Sequence, residues 1–182
     1  MQDERDLVRS AQQHDGDAFA QLYDKYFDKI YRYVAFKVGN RAEAEDMAQQ
    51  VFLSALQNIS SFKWRNIPFS AWLFRIAHNK VVDHLRKKGR RVTVSLEGVQ
   101  ILSASNPQQA AELSLDIEWL KSATAELTAA QRDVITLRFA GDLPIAQVAQ
   151  IMGKSQGAVK ALQHSAIVAL RKARLGGENG RP

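Results

Sequence analysis

IAQVAQIMGKSQGAVKALQHSAIVALR, residues 145–171, decides how the chain is read. Ile145, Val148 and Ala149 fall on one face of a short helix, and Gly153 follows its last turn. Gly153 permits the positive φ that a tight interhelical turn often needs. Ser155 is placed to cap a second helix, in which Val159, Leu162, Ala166 and Leu170 recur at three- and four-residue steps. Ala149 is small where the two helices cross. The steps from Ala149 to Gly153 to Val159, four and then six, suit a helix-turn-helix that binds DNA. In that motif the second helix enters the major groove, and its N-terminal residues reach base edges. Lys154, Ser155, Gln156, Lys160, Gln163 and His164 are then the groove-facing candidates. Gln pairs with adenine edges, and Lys with guanine or phosphate. An ordinary helical hairpin uses the same spacing, so the motif is weighed with the rest of the chain. Its face is only mildly basic, which predicts weak, salt-sensitive binding by this unit alone.

The positive charge lies elsewhere. Residues 61–91 hold nine basic residues against the single acid Asp83, a net +8, whereas residues 1–60 carry −3 and residues 92–182 carry +1. The whole formal charge of +6 therefore comes from one segment. The same segment holds Phe62, Trp64, Phe69, Trp72 and Phe74. Cations that hold phosphates, beside rings that receive unstacked bases, are what single-stranded nucleic acid requires. Core packing is the competing reading for Trp72, Phe74 and Ile76, because aromatic stripes on helices are mostly structural.

The rest of the chain reads as all-α, with two small helical domains joined by a flexible linker. Residues 1–16 are a polar N-terminal segment. Phe19, Leu22, Tyr23, Tyr26, Phe27, Ile30, Tyr31 and Val34 then give one wide apolar face, ended by Gly39 and Asn40. Asn40 can cap the next helix with Glu43 answering it, and Ala44, Met47, Ala48, Val51, Phe52, Ala55 and Leu56 form its stripe. Ile59 to Pro68 reads as a loop, and a third helix runs from about Pro68 to Lys88. Residues 17–91 make the first domain. Residues 92–109 lack a sustained period and read as the linker, with Val92-Thr93-Val94 a possible unpartnered strand. Asn106-Pro107 looks like a helix start leading to Leu113, Ile117, Leu120 and Leu127. Thr128 and Gln131 form a capping-box pattern for the following helix, which Gly141 ends. The second domain is 110–175, and 176–182 is a disordered tail.

Composition excludes several classes. There are no cysteines, so no disulfide framework, zinc–thiolate site or thiol nucleophile exists. The acidic start is unlike a signal peptide, and no run approaches the roughly 18 apolar residues of a membrane span. A cytoplasmic protein without membrane insertion is expected. No Gly-rich phosphate loop or HExxH pattern is present. The best enzymatic lead, His78, Asp83 and His84, has steps of five and one, which do not stack three groups on one helix face. His78 is better read as a helix-surface residue. No catalytic residue, metal ligand or cofactor is expected.

Five motifs in order carry a resemblance: DAFAQLYDKYFDKIYRYV, AEDMAQQVF, FSAWLFRIAHNKVVDHLRK, LTAAQRDVITLRF, and the helix-turn-helix quoted above. The chain resembles the extracytoplasmic-function sigma factors, two-domain promoter-recognition subunits of bacterial RNA polymerase, over about 17–91 and 110–174. The resemblance implies that AEDMAQQVF docks on core RNA polymerase through Asp46, Gln49 and Gln50. Glu is common in the family where this chain has Gln50. It implies that the loop and the helix after it open and read the minus-10 element. Phe69 and Trp72 match aromatic positions there, Asn79 a polar one, and Lys63, Lys80, Arg86, Lys87 and Lys88 supply charge for the backbone. Trp72 stays open between core and base-stacking roles. The second domain would read the minus-35 element of promoter DNA as duplex, although Ser165 stands where arginine is usual and Gln147 where Glu is common. The linker would lie near the polymerase active centre. Anti-sigma proteins often hold family members inactive, so such a partner is an expectation. The competing class is a stand-alone helix-turn-helix regulator, which would bind duplex DNA as a symmetric dimer. The basic, aromatic segment lies outside the helix-turn-helix and is badly placed for that.

Overall fold

The computed structural model describes residues 3–64, 67–89 and 124–178. Every regular element among them is helical. Helix α1 spans Glu4–Gln12, α2 Gly16–Val38 and α3 Arg41–Asn58; a 3₁₀ turn follows at Ile59–Ser61, and α4 spans Phe69–Lys87. The first of these lies within the segment 1–16, which the sequence reading described only as polar. Leu7, Val8 and Ala11 are buried, so a helix with a single narrow apolar edge packs onto the domain. Four charged residues around that edge hid it from composition.

Helix α2 begins where the Asp15 carboxylate accepts from the Asp17 and Ala18 amides, at 3.0 and 3.1 Å. It ends at Gly39, whose φ of 73° is the left-handed cap that glycine adopts without strain. Asn40 then caps α3, its side-chain oxygen accepting from the Glu43 amide at 3.0 Å. Glu43 does not complete a capping box. Its carboxylate turns to His84 and Lys88 on α4 instead. Leu22, Ile30, Tyr33 and Val34 of α2, Val51 of α3, and Leu73, Phe74 and Val81 of α4 are sealed from solvent. Tyr23 stacks on Phe27 with centroids 4.9 Å apart, and Phe52 of α3 closes on Tyr23 at 4.6 Å. Such ring pairs contribute about 0.5–1.5 kcal/mol beyond their area.

The second unit opens with the expected capping box. Thr128 accepts from the Gln131 amide, and the Gln131 side chain accepts from the Thr128 amide at 2.9 Å. Helix α5, Ala129–Ile135, widens into a π-helical turn at Thr136–Ala140. Gly141 ends it for a reason other than backbone freedom, since its φ is −82°. A Cβ there would lie 2.8 Å from the Leu137 carbonyl and 2.9 Å from the Phe74 ring, so glycine is needed for close approach. Helix α6 spans Ile145–Met152, and Gly153 turns the chain with φ 63°. Ser155 Oγ accepts from the Ala158 amide at 3.2 Å and starts α7, Gln156–Glu178. Helix α7 therefore continues through Gly176, Gly177 and Glu178, which were expected in the tail. The expected linker at 92–109, the Val92–Val94 strand and the helix holding Leu113, Ile117 and Leu120 lie outside the described residues, as do 179–182.

The two units form one apolar cluster, which runs from Leu7 to Leu143, Val148 and Val159. Helix α6 packs on α4, and the π turn packs on α2. Polar links cross the seam. Ser70 donates to Gln147 at 3.0 Å, Arg75 donates to the Gln150 carbonyl at 2.9 Å, and Lys29 pairs with Asp142 at 3.1 Å. At its centre Lys37, only 4% exposed, pairs with Asp133. Removing one partner of a buried pair strands the other charge, at a cost of about 3–5 kcal/mol. Asp133→Ala should lower stability by about that much, and Lys37→Met/Asp133→Leu should recover most of it, both read by urea unfolding. A single-variant loss under about 1 kcal/mol would mean that water already reaches the pair.

Candidate nucleic-acid interface

The structure holds three exposed polar surfaces. The first is on α3. Asp46, Gln49 and Gln50 all face solvent, while Met47, Ala48 and Val51 point into the core. The Gln50 amide donates to Asp46 at 2.6 Å, which orients the pair along the helix. Leu53 and Leu56 extend this face, at 55% and 48% exposure. Sequence reading put Leu56 in the core stripe and left Leu53 out. Leu53 lies seven positions from Asp46 and four from Gln49, and Leu56 seven from Gln49, which was the available signal.

The second surface is the loop and α4. Phe62, Phe69 and Trp72 form a cluster with centroid distances of 5.7, 5.2 and 5.5 Å. Tyr26 approaches Phe69 from α2 at 5.8 Å. Phe69 is 1% exposed, so its ring is enclosed and no base can reach its faces in this arrangement. That corrects the expectation of Phe69 as a DNA contact, since the ring supports its neighbours instead. Trp72 is half-buried against the same cluster. The most exposed ring of the segment is Trp64, at 36%, a residue not singled out from sequence as a contact. Arg5 of α1 lies over it, 5.4 Å from the centroid.

Around these rings the cations divide into two groups. Lys63 is exposed, as is Asn79. Lys80 and Lys87 line a shallow cleft of about 270 Å³ between α3 and α4, which Asp46, Gln50 and Asp83 also line. Arg86 is held by Asp83 at 3.0 Å and Lys88 by Glu43. The Lys88 ammonium draws the Glu43 carboxyl below its ordinary range. Arg65, Arg90 and Arg91 lie outside the described residues. His78, expected on the surface, is instead half-buried at the seam with Nδ1 3.0 Å from the Tyr33 hydroxyl. Burial pushes its pKa down and holds the Tyr33 phenol protonated.

The third surface is the start of α7. Lys154, Ser155, Gln156, Lys160 and His164 are exposed together. Gln163 is half-buried and less free than expected, because its side-chain oxygen accepts from Arg138 Nε at 3.1 Å. The Ser165 hydroxyl accepts from Gln131 at 3.0 Å and donates to the Leu162 carbonyl at 3.1 Å. The capping-box residue of α5 thereby also contacts α7. Among the described residues no cluster of three or more His, Asp or Glu side chains could hold a metal ion, and no helix is long and apolar enough to cross a membrane.

A helical unit with a cation-and-ring face, packed against a helix-turn-helix, defines a transcription-initiation class of DNA-binding protein. Family comparison agrees: residues 22–91 match Sigma-70 region 2, and residues 123–172 match Sigma-70, region 4. ECF RNA polymerase sigma factor SigW of Bacillus subtilis is 34% identical over 175 residues, covering 91% of this chain and 93% of SigW. ECF RNA polymerase sigma factor BldN of Streptomyces coelicolor is 38% identical over 171 residues, 92% of this chain. The match spans 64% of BldN's own length. Among solved structures, CnrH in complex with the cytosolic domain of CnrY superposes with a TM-score of 0.69 at 25% identity, covering 96% of this chain and 97% of CnrH. Sigma factor RpoE in complex with the anti-sigma factor NepR, from Bartonella quintana, gives 0.67 at 27% identity, covering 85% and 95%. The chain belongs to the ECF RNA polymerase sigma factors.

The buried His78 makes stability depend on pH. Its folded pKa lies below the ordinary 6.5, so near and below pH 6.5 the unfolded chain binds a proton that the folded chain resists. The contribution is present above that pH and is lost as pH falls. Lys37 opposes protonation and Asp133 favours it, but burial is the larger effect. Glu43 works in the same sense only below its ordinary 4.5. The melting temperature should fall between about pH 7 and pH 5, and His78→Gln should flatten that slope. An unchanged slope in the variant would assign the loss to other groups.

Proposed function

We propose that each exposed surface performs one task of promoter-directed initiation. The α3 face of Asp46, Gln49 and Gln50 docks on core RNA polymerase. The loop before α4, with Trp72, Asn79, Lys63, Lys80 and Lys87, takes the opened minus-10 strand. Arg86 and Lys88 join once the strand competes for their carboxylate partners. The start of α7, with Lys154, Ser155, Gln156, Lys160 and His164, reads the minus-35 duplex, and Gln163 contributes its amide nitrogens. The observation that carries this reading is that cations and rings gather on a unit separate from the helix-turn-helix. A stand-alone duplex reader has no use for that. The chain performs no catalysis of its own and works in the cytoplasm, where the polymerase is. An anti-sigma protein is the expected inhibitor, as NepR is for the RpoE structure.

Geometry adds one requirement. The two promoter elements are about 25 base pairs apart, or about 85 Å at 3.4 Å per pair. Two units in contact cannot span that distance. Promoter reading therefore requires the α4–α6 seam to open. The compact form described here is the unengaged one.

Mixing the chain with sigma-free core polymerase and a promoter library, then sequencing the transcripts, tests the whole reading. Starts should fall at a shared pair of elements, and duplex binding with no core association would defeat it. Asp46→Ala should weaken core affinity about tenfold or more while leaving the helical circular-dichroism signal unchanged. Equal affinity would remove α3 as the docking face. Gln156→Ala should cost about 1–3 kcal/mol at one minus-35 position and relax base preference there, read by binding to a randomised element. A uniform loss across all sequences would make Gln156 a backbone contact.

A further inference from the structure

Helix α1 lies before the residues matched to either sigma region, and none of the tasks above uses it. Yet its last residue reaches across to the minus-10 loop. Gln12 Nε2 donates to the Ile59 carbonyl at 3.0 Å and to the Phe62 carbonyl at 2.7 Å, so one side-chain amide satisfies both ends of the turn that leads into the loop. Both bonds are partly buried and span 47 and 50 residues. The opposite end of α1 supplies Arg5, whose guanidinium lies over Trp64. Phe62, with its carbonyl held by Gln12, meets Trp64 edge-on at 5.2 Å. Leu7, Val8 and Ala11 anchor α1 to the core, so the mount is rigid. The result is one large aromatic ring at the edge of the loop, held yet partly exposed, while Phe62, Phe69 and Phe74 are buried.

An exposed tryptophan is costly to leave against water and flexible if unsupported. Here Phe62 meets it edge-on and Arg5 lies over one face, while 36% of the residue stays exposed. We infer that Trp64 is a base-stacking platform of the minus-10 reader and that Gln12 and Arg5 are its positioning residues. The inference rests on the assignment of this loop to the opened strand. Its ligand is a nucleobase freed from the duplex. A preset ring binds such a base without first ordering a loop, which is why a mount matters as much as the ring.

Four variants of the full chain, each assembled with core polymerase, test this. Trp64→Ala should slow open-complex formation about tenfold, read by permanganate reactivity of the unpaired thymines, and Trp64→Phe should retain most of it. Gln12→Glu keeps the size of the side chain but sets a carboxylate oxygen against two carbonyls, so it should lose a similar factor. The double variant Gln12→Glu/Trp64→Ala should open no more slowly than Trp64→Ala alone, because a mount has no effect once its ring is gone. Core affinity should stay level in all four, since α3 is untouched. Normal opening by Trp64→Ala would overturn the platform, and additive losses in the double variant would overturn the mount. If the wild-type chain directs no promoter-specific starts, the parent reading fails instead, and that outcome is seen before any variant is compared.

Discussion

One helix must satisfy four neighbours at once, and the molecule is arranged around that constraint. Helix α2 is 23 residues long, about 35 Å. It contacts α1, α3, α4 and the π turn of the second unit. No narrow stripe could do this. Leu22, Ile30, Tyr33 and Val34 are fully buried, and Tyr23, Phe27 and Tyr31 add half-buried rings on the flank. A helix with so wide an apolar face is suited to pack against several neighbours at once. Its position sets where every exposed surface points. The polar face of α3 lies outward because Met47, Ala48 and Val51 must pack inward, and the α4 cations are displayed because Leu73, Phe74 and Val81 are not.

The seam between the units combines permanence and release in a way that suits a two-element reader. Its apolar contacts are continuous with the core, and Gly141 allows Phe74 to approach the second unit's backbone. Those contacts favour closure in water and depend little on pH or ionic strength. The polar contacts depend on conditions. Lys37 with Asp133 is a buried pair that is expensive to separate unless water or a new partner replaces each member. Arg75 donates to a backbone carbonyl of α6, so part of the α4 charge is occupied while the units are closed. Core polymerase and promoter DNA offer replacement contacts that isolated chain in water does not. Under the proposed reading, separation of the two units is coupled to binding rather than spontaneous.

Particular elements show what could be read without coordinates. Gly39, Asn40, the Thr128–Gln131 capping box, Gly153 and Ser155 behave as local rules state, because caps and left-handed turns are settled by the residues that form them. Exposure of Asp46, Gln49 and Gln50 followed from helical period alone. Burial among aromatic residues did not. Phe62, Trp64, Phe69 and Trp72 are chemically alike in sequence, and one is sealed while another stands in solvent. Nothing in their spacing separates them, because the deciding neighbours are Tyr26 and Arg5, which lie 43 and 59 positions from Phe69 and Trp64. Helix α1 escaped notice for a related reason. Its three apolar contacts have meaning only against the helix and turn that they cover.

What the chain's own order of residues determined is therefore local and periodic. It specified helices, their caps, the turn of the helix-turn-helix, the concentration of positive charge, and the family to which those motifs belong. These follow from backbone sterics and from side chains within a few positions of each other. Tertiary structure alone decided which ring is most exposed, which cations are already paired, that His78 is half-buried near the seam, and that the two units touch through Lys37 and Asp133. Those outcomes depend on contacts between residues far apart in the chain, where burial and charge pairing are properties of the assembled surfaces and not of any one segment.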